Sequence, residues 1–150
     1  THIQNGSRYD TPGLLHEAPQ AAGLDCRREW MVGVNEDEPL QAWYEATRSL
    51  LERHPQIDAL LIHHAVVCGA VFSAAQDAGR CIGHDLAVVG SDDLIDTAWQ
   101  RPGLTVIAEP VAVIAEALCD QALRGLQGRP SQVVTLESDL LIRGSSTLVQ

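Results

Sequence analysis

The sequence contains no lysine, so all ten of its basic side chains besides histidine are arginines. Twenty Asp and Glu residues outnumber them and give a formal net charge of -10 at pH 7. A surface that binds nucleic acid must neutralise phosphate groups with Lys and Arg. This chain alone is therefore not expected to bind DNA or an anionic membrane. The absence of lysine also excludes Schiff-base chemistry, a P-loop lysine and a lysine general base.

Motifs for catalysis, phosphate binding and metal binding are missing as well. The chain has no Gly-x-Ser-x-Gly, no GxGxxG, no GxxxxGK[ST] and no CxxC. His63, His64 and Cys68 could approach one another, but a zinc site needs three or four converging ligands. Two adjacent histidines at a strand end are expected to point apart. We therefore predict a protein that is not an enzyme, with no metal and no cofactor.

The cysteines are sparse and show no pairing pattern. They stand in segments that otherwise resemble core or helix, whereas disulfide frameworks are typical of small secreted chains with denser cysteine. We expect reduced, partly buried thiols and a cytoplasmic protein. The longest apolar run, Ala65 to Ala75, is too short to span a bilayer, and no signal peptide is visible. Because the chain begins at Thr1 without Met, we expect it to be a fragment. The four cysteines are Cys26, Cys68, Cys81 and Cys119.

Short apolar segments alternate with segments of helical periodicity along the chain. Continuous apolar strands are typical of a parallel sheet that is covered on both faces. Strands that alternate with helices through short loops predict an α/β fold, a mainly parallel sheet flanked by helices, in a single domain over residues 1–150. The predicted strands are Trp30–Val34, Asp58–Ile62, Leu86–Gly90 and Thr105–Ala108, with extended chain over Val133–Ile142. The predicted helices begin at Pro39, Ala65 and Pro110, and the last runs to Leu126.

Two polar clusters follow predicted strands at their carboxyl ends, where open parallel sheets bind ligands. His63 and His64 follow one strand, and Asp92 follows the next. A carboxylate can accept two hydrogen bonds, which suits the neighbouring hydroxyl groups of a sugar, and an imidazole can donate or accept. The alternatives remain open: Asp92 or Asp93 could cap a helix that starts at Leu94, and either histidine could be a structural residue.

The order of these segments resembles the LacI/GalR family of repressors. The resemblance lies in Ile57-Asp58-Ala59-Leu60-Leu61, a helix that closes at Ala78-Gly79, and Asp85-Leu86-Ala87-Val88-Val89-Gly90-Ser91-Asp92-Asp93. It continues through Arg101-Pro102-Gly103-Leu104-Thr105-Val106, Glu109-Pro110 and the ending Leu141-Ile142-Arg143-Gly144-Ser145-Ser146-Thr147. It covers about Pro39 to Thr147.

This resemblance implies one lobe of a type I periplasmic-binding-protein-like fold, the C-terminal lobe of an effector-binding domain. Helix 110–126 would then belong to the missing N-terminal lobe, and the DNA-binding headpiece would lie outside the chain. The family role of holding sugar hydroxyls falls on Asp92. The sequence departs from the family at His64 and Ala65, where Asn-Asp is common, and at Ser91, where an aromatic is usual. The family's frequent effector-binding arginine is also not evident, because Asp10 or Thr11 occupies that region and Arg8 is the only arginine near it.

The leading hypothesis is therefore a sugar-sensing domain of a cytoplasmic transcription regulator. It would be a homodimer that reaches operator DNA only through the headpiece. The second hypothesis is a periplasmic solute-binding protein, which shares the fold and differs in its upstream sequence. The third is an enzyme that uses His63, His64 and Asp92. Because the apolar stripe of helix 110–126 would lack its partner lobe here, we expect that helix to pack on a second copy or to fold back.

Overall fold

A computed structural model describes residues 17–35 and 37–147 of the chain. The turns expected at 5–7 and 11–13, and Arg8, lie outside the described residues. Residues 17–21 are helical, and a short 3-10 helix occupies Arg28–Trp30. The main elements follow in the order α1 (Leu40–Arg53), β1 (Ala59–Ile62), a 3-10 turn (Ala65–Val67), α2 (Cys68–Asp77), β2 (Ala87–Ser91), α3 (Ile95–Trp99), β3 (Thr105–Ala108), α4 (Val111–Leu126) and β4 (Asp139–Leu141).

The strands form one sheet in the order β1-β2-β3-β4, and the first three are parallel. Ile62 of β1 pairs with Gly90 of β2, and Ser91 pairs with Ile107 of β3. Strand β4 is antiparallel to β3 and closes the other side of the sheet. The prediction of a mainly parallel α/β sheet flanked by helices is confirmed.

The core lies where α1 and α2 pack with the sheet. Helix α2 was expected to be apolar nearly all round, and Val71, Phe72 and Ala75 are buried on it. They join one cluster with residues of α1, β2 and β3, so burial of apolar surface holds the helices to the strands. The remaining large members of this cluster include Leu50, Leu51, Leu86, Val88, Leu104 and Val106.

The strand predicted at Trp30–Val34 is wrong within the described residues. Trp30 ends the 3-10 helix, packs against the core, and lies 6.2 Å from His54 between ring centroids. The residues after it turn outward, with Met31 and Val32 exposed. An apolar run builds a strand only where a partner strand and a covered face receive it. Trp30 is partly buried against the core although it has neither a partner strand nor a covered sheet face.

The C-terminal segment differs from the prediction of an extended run over Val133–Ile142. Only three residues of that run pair with β3, and the following segment returns into the core. The Ser145 hydroxyl donates to the Val88 carbonyl at 2.5 Å and accepts from the Thr105 N–H at 2.8 Å. Ser145 is fully buried, so this hydroxyl bridges the beginnings of β2 and β3. Every polar atom of the bridge therefore has a partner, as burial demands.

Helix α4 stands apart from this core, because none of its residues is buried. Val111, Leu118 and Leu126 are 70%, 65% and 86% exposed. Within the described residues, the apolar stripe expected on this helix is not buried against the rest of the chain, so the alternative that it folds back finds no support there. Among the described residues, no helix has the length and apolar character needed to cross a membrane.

Candidate ligand-binding site at the carboxyl edge of the sheet

The parallel register brings the two predicted polar clusters side by side. Since Ile62 pairs with Gly90, His63 comes level with Ser91 at the carboxyl edge. The Ser91 hydroxyl donates a hydrogen bond to the His63 carbonyl, which ties the two strand ends together. Ser91 stands where the resembling family usually has an aromatic, so this position works here as a tether. The juxtaposition of His63, His64 and Asp92 at one edge follows the sequence expectation.

Asp92 occupies a left-handed backbone conformation, with φ 69. Its N–H donates to the Ile107 carbonyl at 3.0 Å, which fixes the turn against β3. The side chain is half-buried, and within the described part of the chain its carboxylate has no hydrogen bond or ion pair. A non-glycine residue in this conformation costs about 1–3 kcal/mol unless the surroundings hold it there, and such residues cluster at functional sites.

Asp93 has a structural task instead. Its carboxylate pairs with the Arg143 guanidinium at 2.6 Å and accepts from the Thr97 hydroxyl at 3.3 Å. Arg143 also donates to the Leu104 carbonyl at 2.9 Å, so the pair links α3, the start of β3 and the end of the chain. The N-cap of α3 is Leu94, without a side-chain cap. The alternative that Asp92 or Asp93 caps this helix is therefore wrong.

The two histidines lie against each other. Their ring centroids are 4.4 Å apart with an interplanar angle of 27°, which is a stacked pair. The expectation that they point apart is wrong, because the chain leaves its extended path between β1 and the 3-10 turn. His63 is exposed and His64 is half-buried. The pair therefore presents one accessible imidazole at the edge, backed by a second ring.

Cys68 begins α2 after this pair and is 3% exposed. Burial raises the pKa of its thiol, the nearby charge of Asp96 raises it further, and a hydrogen bond from the Gly69 backbone lowers it in part. Metals bind the thiolate rather than the thiol, so Cys68 is a poor ligand here. Across residues 17–35 and 37–147, no group of three or more His, Cys, Asp or Glu side chains is arranged to hold a metal ion.

Glu109 belongs to the same edge and was not among the predicted site residues. It follows β3 directly, it is exposed, and β3 is the parallel neighbour of β2. The rule that singled out the residues after β1 and β2 would have found it if applied to the third strand. Glu109 was taken only as the residue before the proline that opens α4.

A groove of about 430 Å³ opens at the opposite edge of the sheet, where β2 and β3 begin. Arg80 in its wall is already engaged, since its guanidinium donates to the Ile57 carbonyl at 2.8 Å and pairs with Asp85 at 3.5 Å. The groove is thus separate from the candidate site and has one of its two arginines neutralised. Its lining residues are Gln76, Gly79, Arg80, Cys81, Ile82, Arg101 and Pro102.

Comparison with known proteins agrees with this arrangement. Residues 4–147 match the family model described as periplasmic binding protein-like domain. The regulator GalS of Salmonella typhimurium is 29% identical over 116 residues, 77% of this chain and 33% of that protein. The lactose operon repressor of Rhizobium radiobacter is 30% identical over 104 residues, 69% of this chain and 92% of that sequence. CelR of Thermobifida fusca is 28% identical over 131 residues, 86% of this chain and 38% of that protein.

Solved structures give the same result. A CelR–cellobiose complex superposes with a TM-score of 0.74 at 27% identity, covering 87% of this chain and 40% of that one. A LacI family regulator from Arthrobacter sp. FB24 in complex with lactose gives a TM-score of 0.64 at 25% identity, covering 73% and 42%. The chain thus spans less than half of these structures and a third or slightly more of GalS and CelR.

The mainly parallel sheet flanked by helices and the match over residues 4–147 place the chain in the periplasmic binding protein-like class. The chain belongs to this family, on its LacI branch, as the resemblance implied.

Proposed function

We propose that this chain is the C-terminal lobe of the effector-binding domain of a LacI-type transcription regulator. The effector is a small hydroxylated molecule of the sugar class, and Asp92, His63 and His64 contact it from this lobe. A homodimer of the cytoplasmic full-length protein binds operator DNA through a helix-turn-helix headpiece outside this chain. The relatives with similar sequence are regulators rather than enzymes, which supports this class of function.

The Asp92 carboxylate is the observation that carries the proposal. It sits at the edge where parallel sheets bind ligands, in a left-handed turn, and without a partner in the described part of the chain. Its neighbour Asp93 is engaged in the ion pair with Arg143. Of two adjacent acids, one is thus used by the fold and the other is left for a ligand. A CelR relative has been solved with cellobiose and an Arthrobacter relative with lactose, which supports a sugar as the class of effector.

Helix α4 supports the placement of this chain as one of two lobes. It leaves the sheet directly after β3, and none of its residues is buried. A helix with a broad apolar stripe that the described residues leave uncovered needs a partner surface. In the proposed protein the other lobe supplies that surface, so the chain crosses from one lobe to the other at Glu109 and returns before β4.

The mechanism that follows is a shift between conformations. An effector held between the lobes stabilises one angle between them, and the headpiece binds operator DNA differently at that angle. Because the coupling free energy is reciprocal, operator DNA changes the affinity for the effector by the same factor. The hydrogen bond from the Ser91 hydroxyl to the His63 carbonyl joins the ends of β1 and β2 at this site.

Calorimetry on the full-length protein tests the proposal with cellobiose, lactose, galactose and ribose as probes. We expect one of these neutral sugars to bind, and Asp92→Asn to weaken that binding by about 1–3 kcal/mol, the usual effect of losing a hydrogen bond to a charged group. Asp58→Asn, an exposed residue just before β1 at the amino edge of the sheet, is the matched control and should bind as the parent does. Equal affinity of the parent and Asp92→Asn would exclude Asp92 from the site.

A further inference from the structure

Hydrogen-bond acceptors dominate the candidate site. An ionised carboxylate only accepts hydrogen bonds, and Asp92 and Glu109 follow adjacent parallel strands. The Ser91 hydroxyl could have donated to a ligand, but its proton is directed to the His63 carbonyl. The donors that the described residues offer at these strand ends include main-chain N–H groups and the imidazole N–H of His63. A ligand therefore has to bring donors of its own.

Positive charge is scarce among the described residues at the same edge. The residues that directly follow β1, β2 and β3 include no arginine. Arg143 lies near this edge, but its guanidinium already binds the Asp93 carboxylate and the Leu104 carbonyl. The edge thus keeps the negative charge of its two free carboxylates.

We infer that this half of the site selects an uncharged polyhydroxylated ligand and rejects its phosphorylated or carboxylated derivatives. The inference rests on the proposed function and narrows its ligand class. A phosphate placed near Asp92 and Glu109 would meet like charge, in a chain whose net charge is already -10. A hydroxyl group in the same place would donate to either carboxylate.

The test compares neutral sugars with their phosphate monoesters by calorimetry on the full-length protein. The probes are cellobiose, lactose, galactose and ribose, each beside its own phosphate ester. We expect each ester to bind at least about tenfold more weakly than its parent sugar, a difference of about 1.4 kcal/mol. We also expect this ratio to shrink at high salt, because screening weakens the repulsion between the phosphate and the two carboxylates.

Two variants connect the ratio to the named carboxylates. Glu109→Gln removes an exposed charge without cutting a contact in the described structure, and Asp92→Asn keeps a residue type that tolerates the left-handed backbone. In each of these two variants, the affinity for the phosphate ester should be closer to the affinity for the parent sugar than it is in the parent protein. Glu52→Gln is the matched control, because it removes the same charge from an exposed side chain of α1 that pairs with Arg48. In Glu52→Gln, the ratio of the affinity for a sugar to the affinity for its phosphate ester should equal the ratio in the parent protein.

The outcomes separate the two claims. A phosphate ester that binds as tightly as its parent sugar, or more tightly, overturns the charge inference and leaves the proposed effector site standing. Equal ratios in the parent, Glu109→Gln and Asp92→Asn overturn it as well, since the selectivity would then come from elsewhere. Failure of every probe to bind, neutral or phosphorylated, counts against the proposed sugar effector and removes the inference with it.

Discussion

Asp92 and Asp93 are neighbours in sequence with opposite surroundings. Asp93 is held by Arg143 and Thr97, with its side chain 35% exposed, while Asp92 has only main-chain support for a left-handed turn. An aspartate that the fold merely tolerated would be replaceable by glycine, which adopts positive φ without steric cost. The conformation of Asp92 therefore separates what the side chain does for stability from what it does for a ligand.

The glycine variant of Asp92 makes this separation measurable. We expect Asp92→Gly to unfold within about 1 kcal/mol of the parent, because relief of the left-handed conformation offsets the greater entropy of an unfolded glycine. Asp93→Asn should lower the free energy of unfolding by about 1–2 kcal/mol, reduced from the value for a buried charged hydrogen bond by its partial exposure. Urea denaturation of the two variants is the measurement. A larger loss for Asp92→Gly than for Asp93→Asn would show that Asp92 is structural.

At the scale of single residues, the sequence predicted where the site residues lie better than it predicted which side chains they contact. The carboxyl-end rule located His63, His64 and Asp92 at one edge because it depends only on strand direction. It could not show that Asp93 pairs with Arg143, fifty positions further on. It also could not show that the two imidazole rings stack. Such contacts depend on how the chain end returns over β3, which no local pattern in the sequence contains.

At the scale of elements, the apolar runs decided which predictions held. Strands β1, β2 and β3 lie within continuous apolar runs whose buried side chains share one core cluster with α1 and α2, so their existence and parallel order followed from the sequence. Trp30–Val34 had a similar composition but no partner strand in the described structure, and it became a 3-10 turn with an exposed tail. Apolar composition predicts burial, while pairing decides whether the buried segment is a strand.

The exposed apolar stripe of helix α4 can be tested by replacing its leucines. Leu118 and Leu123 are 65% and 57% exposed, so replacing both with Gln should change the free energy of unfolding by less than about 0.5 kcal/mol each. The same variant should lower dye binding to exposed apolar surface and reduce self-association of the 150-residue chain. Leu50→Gln, at a buried position of α1, is the contrasting control and should destabilise strongly. A large loss of stability in the Leu118/Leu123 variant would show that α4 is packed within its own chain.

At the scale of the whole molecule, two forces act on this exposed helix in opposite directions. Its apolar stripe favours association with a second copy when no other lobe covers it. The net charge of -10, carried without a single lysine, makes two copies repel. The repulsion is long-ranged and depends on salt, whereas burial of apolar surface is short-ranged and depends on salt much less. The balance between them can therefore be read from ionic strength alone.

We expect self-association of this chain to strengthen as salt is raised from about 0.01 M to about 0.15 M, because the screening length falls from about 30 Å to about 8 Å over that range. Light scattering at fixed protein concentration measures the change in mean mass. The Leu118→Gln/Leu123→Gln variant supplies the control: it keeps the net charge and loses the stripe, so its mass should stay near that of one chain at both salt concentrations. Dissociation of the parent by salt would mean that charged contacts, rather than the face of α4, hold the copies together. A monomer at both salt concentrations would mean that the stripe alone is too small to hold a second copy.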